Sequence, residues 1–452
     1  MDLQIKINSK EKTPFENLDT KVNNYDELHL SKRLVRNIVS LGCFIFSYNF
    51  VTTLEYVYFR EMLLPFGIFD SVKNSSILTS ALIFLCVGVV FGGILNDKTR
   101  TKLGQRVPFI LIGGLIASFC ILLIPILFLI EGNLSLVYGI LMLLFIISHF
   151  SLGLAYSPWL ALVVDLFKKK ERVICAIAIS IFGAIGAAVA TIVFSFLIIR
   201  NHYWLIWVIT GITLLLGTII TSILCPKTNS DIIVHTNIKE TMNIPKIIWK
   251  QGGIEWTLLL IVAMFWSFSS HLVETGIVDS LIKRFNVQET QAAFSSNILM
   301  GIFISVFIFP IIFMINKMGK IKGSILASVV YAGYCFFLST MTNFNEIYYI
   351  VCIGGLGNIL LSTLQIALPA DNVPKGREAS FMGFFFVFST IVKPFATLIQ
   401  GFLIRNNEAS VGISEFFGYP GTFFLAGIVC LFSLGILFTI ESQNKQIEEL
   451  YE

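Results

Sequence analysis

Five ionisable side chains interrupt long apolar runs of this 452-residue chain: Glu55, His149, His271, Glu274 and Lys393. A charge at the centre of a bilayer costs roughly 2.5–3.5 kcal/mol on insertion scales, so such groups are kept for a purpose. Carboxylate and imidazole take up and release protons, and hydroxyl, amide and phenol groups beside them hydrogen-bond a solute. Helical spacing gathers these types into four stripes: Tyr48, Thr52 and Glu55; Phe145, His149, Gly153 and Tyr156; Ser267, His271 and Glu274; Asn358, Ser362 and Gln365. Together they make a polar, aromatic-flanked cavity suited to a hydroxylated solute, with Glu274 beside His271 as the proton-carrying group. Each has a plainer reading. His149 is then a bonded core residue, His271 only orients Glu274, Glu55 snorkels from the outer end, and Lys393, before Pro394, pairs with an acidic side chain. Glu55 and Glu274 stand 219 positions apart, as do Phe66 and Phe285, and read as equivalents in two halves.

A second set of charges sits at span ends. Gly93, Asp97, Arg100, Gly104 and Arg106 lie in one short loop. Asp165 is followed by Lys169 and Arg172, and Asp371 by Lys375 and Arg377. Ala161-Leu162 and Asp165 match Ala367-Leu368 and Asp371 at a constant offset of 206. Asn316, Lys317 and Gly319 repeat the 97–106 loop in weaker form. Asp97 can pair with a basic group or cap a helix, and Asp165 and Asp371, with the basic residues after them, offer further pairs. Such pairs latch one side of a carrier while the other is open. The plainer reading is interfacial charge that fixes topology.

The elements that position these groups follow from composition. Apolar residues make up 56% of the chain and charged residues 13%, about half the share usual in soluble proteins, and mean hydropathy is +0.82. The solvent for most of the chain is lipid. With a net charge of +4, nothing favours nucleic acid. The eight cysteines lie in or at the ends of apolar runs and read as buried thiols, with no metal or other cofactor implied. The first 35 residues hold no apolar core of a signal peptide.

Twelve runs of about 20 apolar residues predict an all-α membrane protein of twelve transmembrane helices. Twenty-five of the 32 Lys and Arg residues fall on the side that holds both termini and six on the other, so both termini are expected to be cytoplasmic. The expected organisation is a tail over 1–35, a six-helix bundle over 36–225, a cytoplasmic linker over 226–253, a second six-helix bundle over 254–441 and a tail over 442–452.

The run from Gly92 through Asp97, Arg100, Gly104 and Arg106 to Pro108-Phe109 resembles the loop between helices two and three of the major facilitator superfamily. It is similar above all to the form G-x-x-x-D-R-T-R-T-R-W-G-R-R-R-P-F of the glycoside–pentoside–hexuronide:cation symporters and the plant sucrose/proton symporters. Pro158, Ala161, Leu162 and Asp165 resemble the end of span four in the same group. Lys98, Leu103, Gln105 and Val107 depart from the pattern, and span two lacks the paired carboxylates that the melibiose permeases use for sodium. The resemblance implies that spans 1, 4, 7 and 10 line a central cavity, and it sets His149 near the acidic residue that handles the proton in the sucrose symporters.

The expectation is a secondary active transporter in the cell membrane. It would carry a sugar or glycoside by alternating access as a monomer, with a proton as coupling ion and no cofactor. Its substrate and proton pathway would use Tyr48, Glu55, His149, Tyr156, His271, Glu274, Asn358, Ser362, Gln365 and Lys393. One charge crossing 100 mV is worth about 2.3 kcal/mol, roughly fifty-fold accumulation. A carrier for a drug, organic anion or peptide is the alternative, and a non-transporting assembly or sensor protein a third. No array of nucleophile and base, phosphate loop or metal spacing suggests an enzyme.

Overall fold

The structure, a computed structural model, describes residues 32–68, 71–130, 133–168, 171–226, 244–371, 373, 377–404 and 418–451. Lipid offers backbone N–H and C=O groups no partners, so each apolar run closes its own hydrogen bonds as a helix. Twelve long helices result: α1 (Lys32–Val57), α2 (Ser71–Lys98), α3 (Val107–Leu123), α4 (Leu134–Leu166), α5 (Arg172–Ile199), α6 (Tyr203–Leu224), α7 (Ile244–Phe285), α8 (Leu299–Met318), α9 (Lys320–Thr340), α10 (Ile347–Asp371), α11 (Glu378–Ile404) and α12 (Tyr419–Tyr451). Eleven are long and apolar enough, over described residues, to cross a membrane, and α8 supplies the twelfth. No strand occurs among the described residues; Thr101 and Gly104 form an isolated bridge.

Two helices outrun their expected limits. α7 begins at Ile244, inside the stretch expected as linker, and α12 runs on to Tyr451 through the expected tail. The tail sequence Glu441 to Tyr451 is rich in Glu, Gln and Lys, which prolong a helix readily. Residues 1–31 and 227–243 lie outside the described residues.

The core is divided. One buried cluster joins Phe50, Leu54, Tyr58, Ile121, Phe145 and Trp207 of the first six helices. Another joins Trp266, Leu281, Tyr331, Leu360 and Phe423 of the last six, with Val173 and Ile177 of α5 against it. A third lies toward the end that carries the 97–106 loop, here the basic end, where Ala370 and Met382 meet Val89, Tyr156 and Trp159. The two sets of six thus share apolar packing at the basic end and part around a cavity farther in. All eight cysteines are free thiols.

Close helix approach fixes α4 against α2. A Cβ on Gly153 would stand 2.3 Å from the Leu85 carbonyl oxygen, and one on Gly88 2.1 Å from that of Phe150. Without a hydrophobic drive between helices in lipid, such backbone approach is a main source of association. Gly153→Val should therefore force the pair apart and lower stability by about 1–3 kcal/mol or more, read as a lower unfolding midpoint in detergent. A midpoint unchanged from that of the unmodified protein would show that the approach is not required.

Candidate functional site

At the basic end, Arg106 is the centre of a charge cluster. It precedes α3, its side chain has 0% exposure, and its three nitrogens are all engaged. Nε donates to Asp165 at 2.8 Å, Nη1 to Asp97 at 2.8 Å and to Asn96, and Nη2 to Glu378 at 3.1 Å. Burial alone would lower the Arg106 pKa, but Asp165 and Asp97 more than offset it and raise it further, so the charge is permanent. Asn96 and Gln105 brace the loop by exchanging side-chain bonds to each other's backbone carbonyls at 2.8 and 3.0 Å. Gly104 turns the loop at φ +98°, a conformation few other residues accept, and Gly319 makes the corresponding turn before α9 at φ +83°.

Asp97 also caps a helix of the other six. It accepts from the backbone N–H groups of Ala379 (3.3 Å) and Ser380 (2.8 Å) and from the Ser380 hydroxyl (2.6 Å) at the start of α11. A carboxylate at a helix N-terminus is favoured by the helix dipole. Gly93 permits this contact, because a Cβ there would come within 2.8 Å of the Ala379 carbonyl oxygen. On the other flank Arg172 crosses to the C-terminus of α10, donating to the Ala370 carbonyl at 2.5 Å and to Asp371 at 3.2 Å.

Several expected pairings are replaced. Asp165 bonds Arg106 rather than the basic residues after it, and Asp371 bonds Lys320 and Arg172 rather than Arg377. A helix end points away from its own following loop, so its carboxylate meets the start of the neighbouring helix instead. Lys169 and Lys375 lie outside the described residues. Arg377 contributes its carbonyl, which accepts from the N–H of Phe381, and Arg100 is exposed. Sequence reasoning missed Glu378 and Lys320. Lys320 directly follows Gly319 much as Arg106 follows Gly104, which was a usable signal. Glu378 had none beyond its place at the start of a span.

Farther in, a cavity of about 400 Å³ lies between the two sets of helices. Of the expected residues, Tyr48, Tyr156, Glu274, Asn358, Ser362, Gln365 and Lys393 line it. Tyr48 and Tyr156 meet at 5.0 Å between ring centroids, and Phe386 of α11 packs on Tyr156 at 4.2 Å. Gln365 donates to Ser267 at 2.8 Å, and Ser362 donates to Ser180 of α5 at 3.1 Å. Glu274 opens into the space with no hydrogen bond or ion pair to a described residue. The Lys393 ammonium stands 5.3 Å from the centroid of the Tyr56 ring, with no carboxylate within ion-pair range.

Three expected residues do not line the cavity. The face that α1 turns to it runs Tyr48, Asn49, Thr52 and Tyr56, and Glu55 falls on the trailing edge, where it meets His149 of α4 at 2.9 Å. Its expected partner in symmetry, Glu274, does face the cavity, so the two differ in setting, and Glu55 is buried rather than snorkelling. His271 turns the other way, toward α11, and its Nε2 lies 2.9 Å from the Thr397 hydroxyl, so it does not couple to Glu274. The sequence also missed the part of α5 and α11, whose Ser180, Ser389 and Thr390 complete the wall.

The family model of the Major Facilitator Superfamily matches residues 36–397. No curated protein matches the sequence. Solved structures share its fold. A bacterial homologue of the iron transporter ferroportin, outward-facing, aligns with TM-score 0.68 at 15% identity over 90% of this chain and 99% of that one. The human organic anion transporter MFSD10 aligns with TM-score 0.66 at 12% identity over 89% and 98%. The proton:xylose symporter XylE aligns with TM-score 0.65 at 13% identity over 90% and 94%.

Removing one member of a buried charge cluster costs about 3–5 kcal/mol, because the others are left unpaired. Arg106→Leu should destabilise this conformation by that order, and Arg106→Lys should fail to restore it, since an ammonium lacks the planar fork that reaches three carboxylates. Thermal unfolding in detergent checks both. Full recovery by Lys would show that charge alone suffices.

Proposed function

Because the chain belongs to the major facilitator superfamily, we propose that it is a secondary active transporter that moves a sugar or glycoside with a proton by alternating access. The observation that carries the reading is the central cavity. Its 400 Å³ fall within the roughly 300–1,000 Å³ of small-molecule sites. Its wall mixes tyrosine rings with hydroxyl and carboxamide groups from both sets of helices. That mixture suits a solute with apolar ring faces and many hydroxyl groups.

Glu274 is the coupling carboxylate in this reading. It is the acidic side chain among those lining the cavity, and it has no partner to hold its charge. Protonation would neutralise it before the loaded carrier rocks, so that no bare carboxylate crosses a closed barrier. The Arg106 cluster and the Asp97 cap then act as the latch of the basic end, which the charge count sets at the cytoplasmic face of the cell membrane. The carrier works as a monomer, its cavity being complete within one chain.

Lys393 favours a second reading. An ammonium in the cavity without a carboxylate partner would also receive an organic anion. The two readings part in one experiment. Proteoliposomes holding a pH dye are given a panel of mono- and disaccharides and of organic anions, with Glu274→Gln and Lys393→Ala beside the unmodified protein. Sugar-driven acidification of the lumen, lost by at least about tenfold in Glu274→Gln while labelled sugar still exchanges, is expected. Acidification that persists in Glu274→Gln would overturn the assignment of the carboxylate. Anion-driven transport that collapses in Lys393→Ala, with no response to any sugar, would replace sugar by anion.

A further inference from the structure

The Glu55–His149 pair lies outside the central cavity, and its hydrogen bonds fix its protons. Nδ1 of His149 is 2.9 Å from the Phe145 carbonyl oxygen, which only accepts, so Nδ1 carries a hydrogen. Nε2 is 2.9 Å from the Glu55 carboxyl, and one further proton occupies that bond. The pair is neutral as a whole whether this proton sits on nitrogen or on oxygen. Removing it would bring two lone pairs face to face. Adding another would leave an unpaired positive charge in a buried site.

Beside the pair, α1, α3, α4 and α6 enclose a void of about 10 Å³, the room one water molecule needs. Three of its walls are polar and incompletely bonded. The Nε1–H of Trp207, a side chain 1% exposed, is a buried donor with no partner. The second oxygen of Glu55 receives no hydrogen bond from a described residue. Thr210 donates to the Ile206 carbonyl at 2.8 Å, which leaves its own lone pairs open.

We propose that one water molecule fills this void, accepting from Trp207 and donating to Glu55 and Thr210, and that the hydrated Glu55–His149 pair keeps its proton throughout the transport cycle. Three hydrogen bonds are the usual complement of a buried water. The site is sealed: Phe145 stacks on His149 at 5.7 Å and meets Trp207 edge-on at 5.9 Å. Among the residues around the void, Glu55 and His149 alone titrate. Tyr48 and Tyr56, also on α1, face the cavity instead. Every wall belongs to the first six helices, so rocking of one set against the other does not open it. The water thus solvates a buried carboxylate that would otherwise lack a second partner, and it leaves Glu274 to exchange protons.

The test has two readouts, and the first does not depend on what the carrier moves. A high-resolution experimental density map of the full chain should show a single peak within hydrogen-bond reach of Trp207, Glu55 and Thr210. Trp207→Phe should lose that peak and unfold at lower temperature; Thr210→Val, nearly isosteric, serves if the former does not fold. In the second readout, solute-driven proton movement in either variant should stay within about twofold of the unmodified protein. An empty void in the unmodified protein would overturn the water site. Loss of solute-driven acidification in Glu55→Gln, with solute binding retained, would overturn the isolation of the pair.

Discussion

A single guanidinium with no access to solvent, that of Arg106, joins α2, α3 and α4 to the first turn of α11. Burying a charge is costly unless every donor is met, and here all three nitrogens find acidic or amide oxygens. The rest of the basic end is arranged around that requirement. Gly104 bends the loop so that Arg106 can reach inward, Asn96 and Gln105 clamp the loop's two strands of backbone, and Gly93 lets α11 come close enough for Glu378 and the Asp97 cap to meet it. Arg172 at the end of α10 supplies the complementary contact, a cation at a helix C-terminus against a carboxylate at a helix N-terminus.

Such an arrangement is strong but separable. Its cross-set contacts are a few directional bonds at one end, whereas each set of six has an extended apolar core of its own. Directional bonds break together once geometry shifts by a small amount, while packed cores move as units. A carrier that exposes its cavity alternately needs that combination. Closure of the basic end and the openness of Glu274 and Lys393 to the cavity are two aspects of one conformation.

The polar groups within the membrane fall into two settings. Glu274 and Lys393 face the cavity without mutual pairing, so their charge is available to a solute or a proton. Glu55 and His149 satisfy each other, and Asp97, Asp165 and Glu378 satisfy Arg106. An ionisable residue inside a membrane therefore does not by itself declare a transport role; its partners decide.

Sequence alone determined that the chain is helical and membrane-spanning, because a lipid solvent leaves the backbone few choices and the apolar runs count themselves. It also marked the loop of Gly93, Asp97, Gly104 and Arg106, and the polar faces of α1, α7 and α10, since period and residue type are local properties. What tertiary structure decided was pairing. Spacing gives a stripe about 100° wide, but a neighbour at its edge claims Glu55 for His149 and His271 for Thr397. The bond of Asp165 to Arg106, 59 positions away, and of Arg106 to Glu378, 272 away, arises from which helix ends lie side by side. No local pattern encodes that, because the partner of a helix-end charge is set by the packing of whole helices.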